Sequence, residues 1–485
     1  MAGVTPDVWR KKVFSGGWSD AGGPPITVRE PATGDTLGEV GGATPEDVAR
    51  ATRKARAAQP DWAAHPLVGR ASIFRQAARW LEDNADEVKE WIVRETGSVP
   101  DKAVVELKGA IAELRQAAGM VVQPRGLVLP SEPQVTSLAR RVPHGVVGVI
   151  SPFNFPIILA TRAVAPALAV GNTVVLKPDQ RTPISGGMIL ARAFEAAGLP
   201  IDVLHVLPGD ADAGEALVTD PEVAMIAFTG STRVGRRIGE LAGKLLKKVS
   251  LELGGKNALI ILDDADLELA VSNAAWGAFL HQGQICMATG RLLVPESLAK
   301  AFIAKLAEKA DHLPVGDPFR EQVALGPLID EQALRQVEEI VNASVAAGAK
   351  LRAGGTSDRL FFRPTVLDEV APGMRAFEDE IFGPVAPVTV YRDEDGAAAL
   401  ANMTDYGLSA GIITGSAARG LEFSARLKTG IVHVNDQTIA DEPWAPFGGT
   451  GASGNGARHG GPANWEEFTS WQWLTMKHSA PRYPF

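Results

Sequence analysis

Between residues 146 and 228 four short β-branched runs alternate with stretches of helical character. This alternation constrains the fold more than any other feature of the chain. Residues 146–150 (VVGVI) stop at Ser151-Pro152, residues 173–176 (TVVL) stop at Lys177-Pro178, and residues 203–207 and 225–228 follow. Residues 184–197, lying between two of these runs, have helical spacing. Parallel strands need a crossover connection, so short apolar strands alternating with helices predict a parallel, doubly wound α/β sheet. A second region of the same texture runs from about Leu259 to Val434, with runs at 259–262, 290–294, 385–391 and 430–435. The chain of 485 residues is long enough for about three domains.

The flanks read differently. The first 120 residues look mostly helical. Thr44-Pro45-Glu46-Asp47 is a helix start, with a hydroxyl cap, Pro at the first position and acids near the positive end of the dipole. Residues 67–81 and 88–96 continue in helical style, and Gly97 is placed to end the second. No period of 20–50 residues is visible, which argues against a solenoid or propeller. After Phe447 comes a glycine-rich stretch, residues 448–461, and then a tail, 465–485, with three tryptophans and alternating apolar and polar residues. That tail predicts an edge strand or arm. An exposed apolar strand invites aggregation, so a partner subunit is expected to cover it.

Charge and cysteine content remove several function classes. Lys and Arg number 48 against 57 Asp and Glu, a net charge of −9, and a nucleic-acid binder needs a basic face to neutralise phosphates. The single cysteine, Cys286, excludes an intrachain disulfide framework. No His/Cys cluster stands out, so no metal is expected. The N-terminal run MAGVTPDVWRKKVFSGGW has no apolar core of a signal peptide, and apolar stretches such as 163–170, interrupted by Pro166, fall short of the ~20 residues that span a bilayer. The expectation is a cytoplasmic protein without membrane contact.

Four places carry residues suited to chemistry. Cys286, in HQGQICM, reads either as a small buried hydrophobe or as a nucleophile; Gly283 would let backbone approach, and a thiolate near helix-terminal amides would have a depressed pKa. Glu252, in LELGGK, is an acid on an otherwise apolar strand: a salt-bridge partner, or a general base with its pKa raised by an apolar setting. Asn154, in SPFNFP, is a turn residue or an amide aimed at a developing oxyanion. The segment FTGSTRVG, from Phe228 to Gly235, follows a strand and opens a helix, and its small residues would expose amides to a pyrophosphate. It is not the GxGxxG fingerprint.

Taken in order, SPFNFP, VVLKP, FTGSTRVG, LELGGK, GQICMATGR, EIFGPV and PFGGTGASG resemble the aldehyde dehydrogenase superfamily over residues 30 to 485. The run NDQ at 435–437, DEP at 441–443 and GPANWEEF at 461–468 are similar to the bacterial benzaldehyde and vanillin dehydrogenases within it. The resemblance implies a Rossmann-type dinucleotide-binding domain (1–122 and 143–251), an α/β catalytic domain (252–448), and a small β oligomerisation element (123–142 and 464–485) that would make a homodimer or homotetramer. It implies that Cys286 is the nucleophile, Glu252 the base and Asn154, with the Cys286 N–H, the oxyanion hole. Lys177 would hold the adenosine ribose, Glu380 the nicotinamide ribose, Phe382 the nicotinamide ring, and Gly230 and Ser231 the pyrophosphate. Ile150, Ser151, Pro152, Phe153, Gln180, Gly209, Phe228, Thr229, Val234 and Leu253 would complete the dinucleotide site. Phe155, Arg162, Ile285, Met287, Trp444 and Phe447 would line the substrate tunnel, where aromatic walls suit a flat ring; Arg162 has an ion pair as its alternative role.

The expected reaction is NAD-dependent oxidation of an aldehyde, an aromatic one such as benzaldehyde or vanillin, with aliphatic aldehydes and semialdehydes as alternatives. Many members of the family carry an acid where this chain has Gln180, which repels a 2′-phosphate less than a carboxylate does; the neighbouring Arg181 could attract one. NAD is therefore expected, with NADP accepted. The rivals are a cofactor-independent cysteine hydrolase pairing Cys286 with a histidine such as His281, a CoA-acylating enzyme, which Glu252 argues against, and a non-catalytic relative, which would lack Cys286 or Glu252.

Overall fold

The computed structural model describes residues 6–485, so residues 1–5 of the segment assigned above to the dinucleotide domain lie outside the described residues. Three sheets organise the chain. The first has seven strands in the spatial order Lys248–Glu252, Val223–Thr229, Val146–Ile150, Thr173–Lys177, Leu204–Val206, Lys12–Phe14 and Trp18–Asp20. The first five pair in parallel and the last two add antiparallel. From Val146–Ile150 the chain winds outward one way through residues 173–206 and then returns to wind outward the other way through 223–252. That reversal makes a crevice beyond the carboxyl ends of Val146–Ile150 and Val223–Thr229, where open α/β sheets bind ligands.

The second sheet also has seven strands, in the order Lys350–Ala353, Thr365–Asp368, Val385–Tyr391, Thr289–Pro295, Asn257–Ile261, Ser409–Ile413 and Ile431–Val434. All its pairings are parallel except that of the edge strand Lys350–Ala353. Its central strands are buried from end to end, which is why they read as unbroken apolar runs and not as alternating ones. The third sheet is antiparallel: Thr469–Lys477 pairs with Val135–Pro143, which pairs with Gly126–Leu129.

Two sequence expectations need correction. The first 120 residues are not simply helical, because among the described residues four strands precede residue 43. Lys12–Phe14 and Trp18–Asp20 are three residues each, too short to show a period, and Gly23–Arg29 contains Pro24 and Pro25, which disguise a strand that pairs only with Thr36–Gly42. Helices follow at Pro45–Ala64, Leu67–Asp83, Ala85–Thr96 and Pro100–Met120. Thr44 caps the first through a capping box with Asp47, whose carboxylate accepts from the Thr44 N–H at 3.0 Å, a device worth about 1 kcal/mol. Gly97 ends the third in the left-handed conformation.

The tail is also less uniform than its alternation suggested. Trp465 and Phe468 sit on the helix Ala463–Phe468 and are buried in the core of the first sheet and its helices. Only from Thr469 does the tail become an edge strand, and there Trp471 and Trp473 are 49% and 74% exposed. No helix among the described residues is long and apolar enough to cross a membrane.

Candidate active site

The loop that carries Cys286 lies between the helix Leu267–Phe279 and the strand Thr289–Pro295. Three successive residues, His281, Gln282 and Gly283, have φ of 50°, 56° and 66°. For His and Gln such angles cost of order 1–3 kcal/mol each and persist only when neighbours hold them. The holders are visible. Gln282 donates to the carbonyls of Gly97 and Pro327 at 2.7 and 3.1 Å, and Gln284 accepts from the Ile329 N–H at 3.0 Å. At Gly283 a side chain would strike the Gly383 carbonyl. Beyond the turn, Asn257 donates to the carbonyls of Cys286 and Ala288 at 2.8 and 2.9 Å. The backbone on both sides of the sulfur is fixed by side chains from other segments.

The residues predicted as catalytic converge here. Asn154, in the turn after Val146–Ile150, is buried and donates to the Gln284 carbonyl at 2.9 Å. Glu252, the last residue of its strand, is 3% exposed, and both carboxylate oxygens are buried without a hydrogen-bond partner among the described residues. The salt-bridge alternative is therefore not realised for Glu252. Burial drives its pKa well above the ordinary carboxylate range, opposed by the charges of Arg458 and Arg162. The expectation for the thiol is corrected: burial, with the negative charges of Glu380 and Glu252, pushes Cys286 up to about 12. No helix begins at this loop to depress it; the helical turn Leu280–Gly283 ends three residues earlier. His281 is buried, and burial forces its pKa well below 6.5. The hydrolase-like Cys–His pair is not formed.

Two cavities meet at Cys286. One, of about 910 Å³, is walled by Phe155, Ile158, Leu159, Phe279, Ile285, Met287, Phe319, Ile439 and Phe447, with Arg162, Asp441, Lys102 and Glu106 also on its surface. Trp444, expected on this wall, is 63% exposed and does not line it. A side chain at Gly461 would strike the Trp444 carbonyl, and the tryptophan that does line the cavity is Trp276. Arg162 combines both roles considered for it. It bonds Glu113 at 3.3 Å, pairs with Asp441, and lays its guanidinium 4.6 Å from the Phe447 ring centre.

The second cavity, about 530 Å³, lies in the crevice of the first sheet. It is lined by Ile150, Ser151, Pro152, Phe153, Lys177, Gln180, Gly209, Phe228, Thr229, Gly230, Ser231, Val234, Leu253, Glu380 and Phe382. Asn154, Leu159 and Cys286 line both cavities. Groups in the crevice are left open for a ligand. Among the described residues, the Ser151 hydroxyl is buried without a partner, and the Lys177 ammonium makes only a 3.5 Å contact with the Pro178 carbonyl. Ser231 caps the helix Thr232–Lys244, whose N-terminus faces the crevice. Glu380 accepts from the Gly255 N–H at 3.1 Å, and burial pushes its carboxyl up to about 7. Arg181 is already engaged: it forks onto Asp179 with bonds of 2.9 and 2.8 Å, reaches Asp330 at 2.8 Å, and stacks on Phe153.

Several residues of the site were not found from the sequence. Lys102, Glu106 and Glu113 share one face of the helix Pro100–Met120 and line or support the larger cavity; charges on the buried face of an apolar helix were the signal available. Asp330, Gln336 and Asp210 on the crevice lie in segments without a motif.

Comparison with known proteins agrees over the whole length. The sequence profile of the aldehyde dehydrogenase family matches residues 18–474. A vanillin dehydrogenase from Amycolatopsis sp. is 54% identical over 486 residues, covering 100% of both chains. A benzaldehyde dehydrogenase [NAD(+)] from Pseudomonas putida is 51% identical, covering 99% of this chain and 98% of its own. The NAD+ complex of an aldehyde dehydrogenase from Bacillus cereus superposes with a TM-score of 0.93 at 32% identity over 96% of each chain.

Proposed function

The chain belongs to the aldehyde dehydrogenase family, and we propose that it oxidises an aromatic aldehyde, of the benzaldehyde or vanillin kind, to the carboxylic acid with NAD. The observation that carries this reading is the position of Cys286 on the wall of two cavities at once, one apolar and aromatic, the other polar and at the switch point of a doubly wound sheet. The names of the two relatives more than half identical to the chain support the aromatic substrate, as does a cavity that meets a flat ring with Phe155 and Phe447.

The crevice fits a dinucleotide. Lys177 and Gln180 would take the adenosine ribose, the amides at Gly230 and Ser231 the pyrophosphate, and Glu380 the nicotinamide ribose, with Phe382 beside the ring. When bound, the dinucleotide supplies an acceptor for hydride. Asp179, Asp210 and Asp330 around the adenosine end favour NAD over NADP, whose 2′-phosphate they would repel.

An aldehyde does not readily surrender hydride, because an unstabilised acylium would result. Attack by the Cys286 thiolate on the carbonyl carbon makes a tetrahedral thiohemiacetal whose oxyanion can expel hydride. Asn154 and the Cys286 N–H hold that oxygen. Loss of hydride leaves an acyl thioester on Sγ. Glu252 then takes a proton from water, the hydroxide adds to the acyl carbon, and the carbon–sulfur bond breaks to release the acid and the thiolate. An acid with a raised pKa suits both halves of that proton traffic near neutral pH.

The protein works as a cytoplasmic homo-oligomer joined through the sheet that ends in Thr469–Lys477; a reactive thiol needs a reducing compartment, and the exposed Trp473 needs cover. NADH formation from a panel of aromatic, aliphatic and semialdehyde substrates tests the reading. Cys286→Ala abolishes it, and Glu252→Gln retains a first-turnover burst but stalls with the acyl group on the enzyme. Full steady-state turnover by Glu252→Gln would remove Glu252 as the base.

A further inference from the structure

The carboxylate of Glu252 combines deep burial with two oxygens that have no hydrogen-bond partner among the described residues. Such a group stays protonated unless an opposite charge offsets its desolvation. The charged and titratable groups that act on it are Arg458, Arg162, Glu467 and the thiol of Cys286. Arg162 is already matched by Glu113 and Asp441, and Glu467 opposes ionisation. Arg458 forms no ion pair among the described residues, so its charge is uncommitted.

The geometry fixes where that charge stands. Gly448 separates the two side chains: a Cβ there would lie 2.8 Å from Glu252 Oε1 and 2.8 Å from Arg458 Cδ. Its φ of +153° and this crowding reserve the position for glycine. Beyond it, Arg458 Nη1 donates to the carbonyls of Gly449 and Ala457 at 2.9 and 2.7 Å. The guanidinium is tethered to the backbone of the glycine-rich stretch and does not fold onto the carboxylate.

We propose that Arg458 is the positioning residue of the general base: tethered across Gly448, it favours the ionised form of Glu252 while leaving both carboxylate oxygens free for water. A direct ion pair would stabilise the charge more strongly but would occupy the lone pairs that take the proton. The inference rests on the reading of Glu252 as the base, and its test separates the two.

The acyl-enzyme is formed with benzaldehyde and NAD, and its decay is followed by acid quench and intact-mass measurement from about pH 5.5 to 9. In Arg458→Gln the acid limb of the decay moves up by about one pH unit, so that decay on that limb slows roughly tenfold. The NADH burst and the high-pH plateau stay as in the wild type, and Arg458→Lys restores most of the shift. A superimposable profile in Arg458→Gln overturns the proposal while leaving Glu252 as the base. Decay at the wild-type rate in Glu252→Gln overturns the underlying reading instead. The wild type gives a second measurement that does not depend on any arginine variant folding. The carboxylate infrared band that Glu252→Gln removes should grow in over the pH range in which decay rises; a carboxyl group that stays protonated through that range overturns the reading of Glu252 as the base, and the proposal with it.

Discussion

Asn154 donates its side-chain amide to the carbonyl of Gln284 at 2.9 Å, across 130 positions of sequence. An amide carries two N–H donors, so one tethers the turn after Val146–Ile150 to the cysteine loop and the other is left for an oxygen on a substrate held at Cys286. The same bond thus ties the first sheet to the loop that carries Cys286. Asn154→Ala should lower kcat for aldehyde oxidation ~10²–10³-fold, the usual effect of losing one oxyanion donor, with the KM for NAD little changed. A loss under tenfold in single-turnover hydride transfer would assign Asn154 to structure alone.

The thiol should be sluggish before a dinucleotide arrives. Burial and the charges of Glu380 and Glu252 push Cys286 up to about 12, so only a small thiolate fraction exists at neutral pH. Alkylation by iodoacetamide should therefore rise about tenfold per pH unit through pH ~9 without a plateau. A negative charge beside a thiol disfavours its anion, so Glu380→Gln should lower the thiol pKa and speed alkylation severalfold at pH ~8.5. A plateau near pH 7 in the wild type would contradict this electrostatic account.

The alternation of strand and helix made the centre of both large sheets legible, because a strand buried on both faces writes itself as an unbroken apolar run, but Lys350–Ala353, Thr365–Asp368 and the buried Ser409–Ile413 of the second sheet were not among the runs read. The same logic failed before residue 43, where Lys12–Phe14 and Trp18–Asp20 gain their partners from the edge of a sheet formed mainly by residues beyond 145. Cys286, Glu252 and Asn154 stood out as chemically odd residues in apolar or glycine-rich settings, and the geometry brings them together at the junction of the two cavities. What the sequence did not disclose is spatial placement: Arg181 engaged by Asp330 from 149 positions away, Arg162 matched by Glu113 and Asp441, and Trp444 lying 63% exposed.

The Arg181–Asp330 contact gives a test of cofactor choice. Asp330 takes Nη1 of the arginine at 2.8 Å and also caps the helix Glu331–Ala346 by accepting from the Ala333 N–H at 2.8 Å. Asp330→Asn keeps the cap, since asparagine caps as well as aspartate, but removes a charge and releases part of the guanidinium toward the crevice. The ratio of kcat/KM for NADP to that for NAD should rise about tenfold, a change of ~1.4 kcal/mol. An unchanged ratio, measured with one aldehyde at saturation, would place the 2′-phosphate away from Arg181.

The strand Thr469–Lys477 pairs along its full length with Val135–Pro143 and leaves its other edge open. Trp473 is anchored by its indole N–H, which donates to Ser137 at 2.9 Å, yet 74% of the residue is exposed; Arg141 stacks its guanidinium 3.8 Å from the Trp471 ring centre. An edge that presents both unpaired backbone and large apolar rings is costly in water and is suited to a second copy of the same strand or sheet. Trp473→Glu places a charge in that contact without touching the ladder. Light scattering should then report a fall in mass toward the single chain at micromolar concentration, with the circular dichroism of the fold preserved. Removing residues 471–485 should do the same. If both variants kept the wild-type mass, the subunits would have to meet through another face, and the exposed tryptophans would need a different partner.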